Sequence, residues 1–581
     1  MSSATKGYDD TFTKSESDSQ SVTSVVDEKP SLWQRINKKI SLQNPDLSLV
    51  QNFLINDDLK PLLNPQDRTW RWFHFIFFWI SDSYNINTWQ IAGTGVEAGL
   101  SWWEVWISVI LGYSFVGLFI FLAQRVGAYY HVSFPVSCRA SFGIFGSLWP
   151  IINRVVMAVV WASVQSWIGG QCVQLMLMSI FGADLDTKIP NKIKGSGTTS
   201  FQFLCFFLFC FFSLPAIYLK PQKLRHLFTM KAIVSPACGI ALLIWTIKRA
   251  GGIGPVVHQK TSVSGSTHAW AFINSTMNCI ANFATLTLNA PDFSRLAKTR
   301  HSSSWTQAIS IPLSFALTAI IGILVSSASK VMYGTAYWSP LDVMKEYVIS
   351  YTSGDRGGVF IIALGFAIAQ LGTNISANYI SAGTDMAALL PQYINIRRGG
   401  FIAAAICFTI CPWHFFSSSK NFTTYLSAYA VFLSAITGVI ASDYFWVRRG
   451  YLNVWHLYSF TPESNYAYNS LGVNWRAYVA YICGILPNIV GFVGACGVSI
   501  PIGAQYIYNL SYFAGYIVSF TIYALLCFFW PVKGAPVKDI REKGWYEVYV
   551  EDRPGEKFSD IVSGKLEENE YVRARGGIRL L

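Results

Sequence analysis

From Trp72 to Trp530 the chain alternates between apolar runs and short polar segments, many of them basic. Each run is roughly long enough to cross a ~30 Å hydrocarbon core as a helix. The pattern predicts twelve spans, at about 72–97, 103–124, 148–180, 200–219, 227–247, 269–290, 307–330, 358–386, 399–418, 423–446, 476–497 and 508–531. Spans 3 and 8 are longer than a bilayer requires, which predicts tilt or extension beyond it. Residues 1–68 hold no such run, and the first thirty carry seven Ser, six acidic residues and three Lys. That composition predicts a disordered cytoplasmic tail, with no cleaved signal peptide. Residues 533–581 are charged again and predict a second cytoplasmic tail, leaving 69–532 as an all-α, twelve-span body.

Composition sharpens this picture. Hydrophobic residues make up 52% of the 581 and charged residues 13%, where soluble domains carry about 25% charge. No soluble particle of this size hides that much apolar surface behind so few charges, so the lipid bilayer is the expected solvent. The net charge of +12 would suggest nucleic acid in a soluble chain. Here the basic residues fall between spans: Arg125 and Arg139, Lys220 to Arg225, Arg295 to Arg300, Arg397 and Arg398, Arg448 and Arg449. With the N-terminus inside, these all lie in cytoplasmic loops, and both termini are cytoplasmic. Nucleic acid is not an expected partner. The 11 Cys contain no CxxC pair and predict buried free thiols rather than a metal or disulfide framework.

Two spans do not read as simple lipid-facing helices. Span 1 contains Ser81-Asp82-Ser83-Tyr84-Asn85-Ile86-Asn87-Thr88, a polar block in an apolar helix. Asn85 and Asn87 lie two apart, so one regular helix cannot turn both to one face. An interrupted helix whose freed backbone lines a cavity accounts for the block; a regular helix with amides bonded to its neighbours is the alternative. Span 6 carries Asn282-Phe283-Ala284-Thr285 and then Asn289-Ala290-Pro291. Pro291 removes a helical donor, and Asn289 offers a substitute partner. The two interruptions lie one five-helix unit apart, as in an inverted-repeat transporter with its site at mid-membrane.

Spans 3 and 8 add polar side chains at matching depth. Trp161 and Gln165 share a face at i and i+4, as do Asn374 and Asn378. Aromatic rings and carboxamides suit a flat, neutral heterocycle, the rings on its faces and the amides on its donor–acceptor edge. The spans hold no cluster of Arg or Lys for a phosphate or carboxylate. Each of these residues taken alone is better explained by packing between helices; four polar clusters at matching depth in spans 1, 3, 6 and 8 favour a shared site.

Several stretches then resemble one family: Tyr84-Asn85-Ile86-Asn87-Thr88-Trp89-Gln90, Gly99-Leu100-Ser101-Trp102-Trp103, Asn153-Arg154-Val155-Val156-Met157, Leu288-Asn289-Ala290-Pro291-Asp292-Phe293 and Tyr393-Ile394-Asn395-Ile396-Arg397-Arg398. From about residue 55 to 535 the chain resembles the fungal uracil, uridine and allantoin branch of the nucleobase–cation symporter-1 family. The resemblance implies twelve spans, ten of them forming two inverted five-helix repeats, and cation-coupled import of a nucleobase-like molecule at the plasma membrane. It implies that Trp161 and Phe283 sandwich the ligand ring, that Gln165 and Asn378 bond its edge, and that Asn374 and Asn85 lie close by. Uracil is the implied substrate, with uridine next and then allantoin, thiamine or nicotinamide riboside. A bacterial hydantoin carrier of the family has a sodium site between helices 1 and 8, made partly by adjacent Ser and Thr hydroxyls. Gly372-Thr373 stands there in this chain, so one hydroxyl is missing. The implied coupling ion is therefore the proton, with Thr373 nearby and Asp82 as carrier; Asp292 and Asp385 are rivals nearer span ends, and all three are also explicable as a helix cap or an ion pair with a loop Arg. No other cofactor is implied.

An enzyme would need paired carboxylates, a His cluster or an activated nucleophile. The eight His are dispersed, and no HExxH, GxSxG or phosphate loop occurs. A channel or a non-transporting nutrient receptor is the competing class; accumulation against a gradient excludes both. In the first tail Lys6 and Lys14 lie among Ser and acidic residues, an expected point of access for a ubiquitin ligase, with an inert solubilising tail as the alternative.

Overall fold

The computed structural model describes residues 37, 39–43, 48–219, 225–350, 353–536 and 544–547. Among them the secondary structure is helical, with a single isolated bridge between Trp70 and Ala297. The chain divides into two units, Met1–Ser41 and Leu42–Leu581. Nearly all of the first, including Lys6 and Lys14, lies outside the described residues. The expected tail of 1–68 is too long. Residues 48–68 are ordered against the body, where Leu54, Leu59, Leu63 and Arg68 are buried. Asn56 donates to the carbonyls of Pro391 (2.8 Å) and Ile394 (3.0 Å). Part of the second tail is also docked: Glu547 is buried in an ion pair with Arg125 and accepts from Tyr444.

Nine helices among the described residues are long and apolar enough to cross a bilayer. The other three predicted spans are broken or short, each for a local reason. Span 1 is two helices, Trp72–Ser83 and Ile86–Glu97. Asn85 caps the second from an extended backbone (φ −137°, ψ 159°), its side chain accepting from the Thr88 amide at 3.0 Å. The polar block is thus a helix start inside the membrane. Span 6 is Gly265–Asn282 and Ala284–Ser294, with the break at Phe283 (φ −98°, ψ 3°). Pro291 sits inside the second half without ending it. Asn289 does not repair its own helix, as expected from sequence; it donates across to Ser381 Oγ on span 8 at 2.5 Å. Span 9 corrects the expected 399–418: its helix, Ile396–Ile406, rises only about 16 Å, because Cys411 adopts a left-handed conformation (φ 52°) ahead of Pro412.

Spans 1, 2, 6 and 7 pack into one group, and spans 3, 4, 8 and 9 into another. Span 5 touches both, and spans 10 to 12 close the side. The first group is drawn tight where Gly322 faces Trp89; a Cβ there would stand 2.7 Å from the Trp89 Cβ. Span 3 runs for 34 residues, Leu148–Phe181, or about 51 Å, well beyond a hydrocarbon core. Span 8 has a feature not visible in the sequence pattern. Between Ser353–Thr373 and Ile380–Leu389 it widens into a π-turn at Asn374–Tyr379. Ser376 Oγ donates back to the carbonyls of Gly372 and Thr373 at 3.0 and 3.1 Å, occupying acceptors that the wider turn leaves. All eleven cysteines are free, seven of them buried; Cys496, expected to be buried, is exposed.

Candidate functional site

The breaks in spans 1 and 6 face the middles of spans 3 and 8. Between them lies a cavity of about 30 Å³, lined by Asp82, Asn85, Asn87, Trp161, Gln165, Asn282, Phe283, Thr285, Leu286, Thr373, Ala377 and Asn378. Seven of the eight expected site residues are among these. Trp161 and Phe283 stand on opposite helix groups, one on each wall. Phe283 is fixed by edge-on contacts with Tyr113 and Phe315, at centroid distances of 5.4 and 5.0 Å. Trp161 is set against Tyr425 and Tyr429 at 6.1 and 6.2 Å.

The eighth residue, Asn374, stands one layer back. Its Nδ2 donates to Ala162 O (3.1 Å) and Ser166 Oγ (2.8 Å) on span 3, and its Oδ1 accepts from Asn378 Nδ2 at 3.0 Å. Gln165 has a similar support: Gln370 Nε2 donates to its Oε1 at 2.6 Å. Asn87, not singled out from the sequence as a ligand contact, donates to Asn282 Oδ1 at 2.9 Å and joins the two broken helices. Its own Oδ1, with Asp82 Oδ1 and Thr285 Oγ1, is buried without a protein partner. Trp161 Nε1 is likewise buried without a partner, and because buried polar atoms are costly when unpaired, these four are among the cavity's open positions for a polar ligand.

The largest departure from expectation concerns the cation. Lys231, inside span 5 and 1% exposed, donates its ammonium to Thr373 Oγ1, which in turn donates to Ala369 O at 3.2 Å. Its stem passes over Gly372, where a Cβ would come 2.8 Å from Lys231 Cδ. The absent side chain at 372 is therefore what lets the ammonium reach Thr373. A sodium ion needs several oxygens drawn around it; here the one side-chain hydroxyl already accepts from a cation, so these residues do not fit sodium. Asp82, which lines the same cavity as Thr373, is the carboxylate whose charge acts on Lys231. A lone Lys within an apolar run was a usable signal.

Asp292 and Asp385 are ion-paired, though with Arg154 inside span 3 rather than with a loop arginine. Arg154 Nη1 is 2.8 Å from Asp292 Oδ2, and Phe134 N donates to Asp292 Oδ1 at 2.8 Å. This joins the end of span 6 to spans 3 and 8. Asp292 also borders a larger cavity of about 460 Å³, lined by Asp58, Trp70, Arg295, Ser376, Tyr379 and Arg397 among others. The π-turn separates the two: Ile375, Ser376 and Tyr379 face the large cavity, Ala377 and Asn378 the small one. Among the described residues no cluster of three or more His, Cys, Asp or Glu is placed to hold a metal.

Broken helices meeting at a small amide-lined cavity between two helix groups define a membrane permease built on inverted repeats. The family model for permeases for cytosine/purines, uracil, thiamine and allantoin matches residues 62–515, and the chain belongs to that family, nucleobase–cation symporter-1, whose members are transporters and not enzymes. It is 49% identical to the uracil permease of Saccharomyces cerevisiae over 538 residues, covering 90% of this chain and 84% of that one. The allantoin permease of the same organism is also 49% identical (90% and 84%), as is its uridine permease (91% and 82%). Among solved structures, Mhp1 in a closed conformation with bromovinylhydantoin bound superposes with a TM-score of 0.66 at 19% identity, over 81% of this chain and 95% of that one. Inward-facing Mhp1 gives 0.64 at 20% identity, over 83% and 96%. The chain is thus a multi-pass nucleobase permease with the ten-helix core of that fold.

Proposed function

We propose that this permease imports uracil across the plasma membrane by proton symport, with both termini cytoplasmic and turnover directed by a ubiquitin ligase at Lys6 and Lys14. Support for the ligand class comes from one arrangement: Trp161 and Phe283 on opposite walls, with Gln165, Asn378 and Asn87 between them. Flat rings are held by such faces, and neutral donor–acceptor edges by such amides. The three yeast relatives share one identity value, 49%, and so do not discriminate among their substrates. The acceptor–donor–acceptor edge of uracil, which amides can match, favours uracil, then uridine, then allantoin or another small heterocycle. At about 30 Å³ the cavity's walls must separate to admit even one ring, and its seat between two helix groups suits that movement.

Proton coupling rests on Lys231. A fixed ammonium at Thr373 supplies the positive charge that an imported ion would otherwise bring, and Asp82 supplies a carboxylate that can gain or lose a proton. The test is uptake of labelled uracil, uridine and allantoin in cells lacking their own carriers, with and without sodium, and with a protonophore. Concentrative uracil uptake that ignores sodium and collapses with the protonophore is expected. A sodium requirement refutes the coupling, and equilibration without accumulation refutes symport in favour of a channel or receptor.

A further inference from the structure

Three amides at the cavity wall are each bonded to a second amide. Gln165 is backed by Gln370, Asn378 by Asn374, and Asn87 by Asn282. A carboxamide has a donor end and an acceptor end of nearly equal shape, so unaided it could turn either end to a ligand. A second amide removes that freedom to the extent that it is itself anchored. Asn374 is anchored beyond ambiguity, because Ala162 O can only accept: Nδ2 must point to span 3 and Oδ1 to Asn378. Asn378 must then give its Nδ2 to Asn374, which leaves Oδ1 for the cavity. Asn282 accepts from Asn87 through Oδ1 while its Nδ2 lies 3.4 Å from the Tyr113 hydroxyl, again leaving an oxygen, Asn87 Oδ1, at the cavity. Gln165 is arranged the opposite way: its Oε1 accepts from Gln370 Nε2, Gln370 Oε1 has no protein partner, and Gln165 Nε2 remains for the cavity.

We propose that Gln370, Asn374 and Asn282 are positioning residues that fix the polarity of the site's amides as one donor, at Gln165, and two acceptors, at Asn378 and Asn87. The class of ligand selected is a cyclic lactam or imide, with a carbonyl for Gln165 and ring N–H groups for the two asparagines. An aminopyrimidine of the same outline is rejected, because its amino group meets the donor and its bare ring nitrogen meets an acceptor. Buried polar groups left facing like groups discriminate far more strongly than shape does. The proposal rests on the heterocycle reading above and goes beyond it by naming what sets the choice.

Uracil and cytosine separate polarity from size, since they share a ring and differ at one edge. Binding of each is measured by ligand-induced thermal stabilisation of the purified full-length protein, and by competition against labelled uracil uptake where a variant still transports. Wild type is expected to prefer uracil by at least about 100-fold. In Gln370→Leu, and separately in Asn374→Ala, that ratio is expected to fall about tenfold or more, uracil weakening while cytosine does not. Gln370→Glu offers an acceptor only and is expected to turn Gln165 about, moving the ratio further towards cytosine. A purely structural role would weaken both ligands alike. An unchanged ratio in Gln370→Leu and Asn374→Ala, with wild type binding uracil, overturns the proposal alone. Wild type that binds neither ligand overturns this proposal together with the reading beneath it.

Discussion

Lys231→Met removes the ammonium at Thr373 with little change in volume and leaves Asp82 buried without its compensating charge. The two charges act on one another without a direct ion pair, so removing one leaves the other buried and uncompensated at a cost on the order of 1–3 kcal/mol, or roughly 5- to 150-fold in an equilibrium that depends on it. Asp82 escapes that cost only by holding a proton throughout, and a carboxyl that never releases its proton cannot couple. The expected outcome is protein at the cell surface with concentrative uptake reduced about tenfold or more. Asp82→Asn combined with Lys231→Met removes both charges. It is expected to recover stability and exchange of labelled for unlabelled uracil, while uptake stays indifferent to pH and protonophore. The assay is initial-rate uptake between pH 5 and pH 8, with exchange measured in preloaded cells and surface protein quantified. Concentrative uptake by Lys231→Met with the wild-type pH profile would refute the coupling role of this pair.

Four further outcomes are expected. Trp161→Ala should weaken apparent uracil affinity by about tenfold to a hundredfold, the loss of roughly 1–3 kcal/mol of stacking; wild-type affinity in a well-expressed variant assigns Trp161 to packing alone. Lys231→Ala with Gly372→Ser clears the ammonium and restores adjacent hydroxyls, so uptake should become sodium-stimulated; no response to sodium at any pH counts against the account of Gly372. In the loop after span 2, burial and then the nearby Arg68 guanidinium hold His131 below its ordinary 6.5, at about 4, so its neutral form stabilises the fold above pH 6.5 and that contribution is lost as pH falls towards 4. Between pH 7 and pH 5 this amounts to about 2 kcal/mol at most, and His131→Asn, which tolerates the left-handed backbone there, should melt with a smaller pH dependence than wild type. Lys6→Arg with Lys14→Arg should slow internalisation when substrate is abundant; an unchanged rate shows both lysines to be dispensable.

The membrane body was legible because burying a helix in lipid constrains every residue in it, so a run of apolar residues is itself the structure. The same constraint made the breaks legible. Asn85 and Asn87 have no reason to sit in an apolar helix unless the helix stops, and it stops at Tyr84–Asn85. Span 9 misled because residues 399–418 are apolar throughout most of their length, while backbone geometry at Cys411-Pro412 ends the helix. Hydropathy records what a segment is dissolved in, not whether its hydrogen-bond ladder continues. The π-turn at Asn374–Tyr379 was hidden for the same reason. The N-terminal boundary was misplaced because residues 48–68 are held by bonds to loops that lie far away in sequence, such as Asn56 to Pro391.

The site was legible in its first layer and opaque in its second. Trp161, Gln165, Phe283 and Asn378 could be read because each is a polar or aromatic departure at a depth where lipid tolerates few, and because the resemblance assigned them roles. What orients them comes from partners 205 and 195 residues away for the Gln165–Gln370 and Asn87–Asn282 pairs, and helical spacing carries no information about such contacts. Lys231 was missed for a related reason. It lies within the expected span 227–247, but spacing along that span gives no sign of a partner, and its contact with Thr373 on span 8 is what gives it a role. Gly372 was noticed as a missing oxygen; folded, it is also a cleared path, and the space lost from one span is occupied by a cation from another. Substitution at a site of this kind therefore has to be read in pairs of spans: the residue that disappears from span 8 explains the residue that is present on span 5, and neither predicts the coupling ion alone.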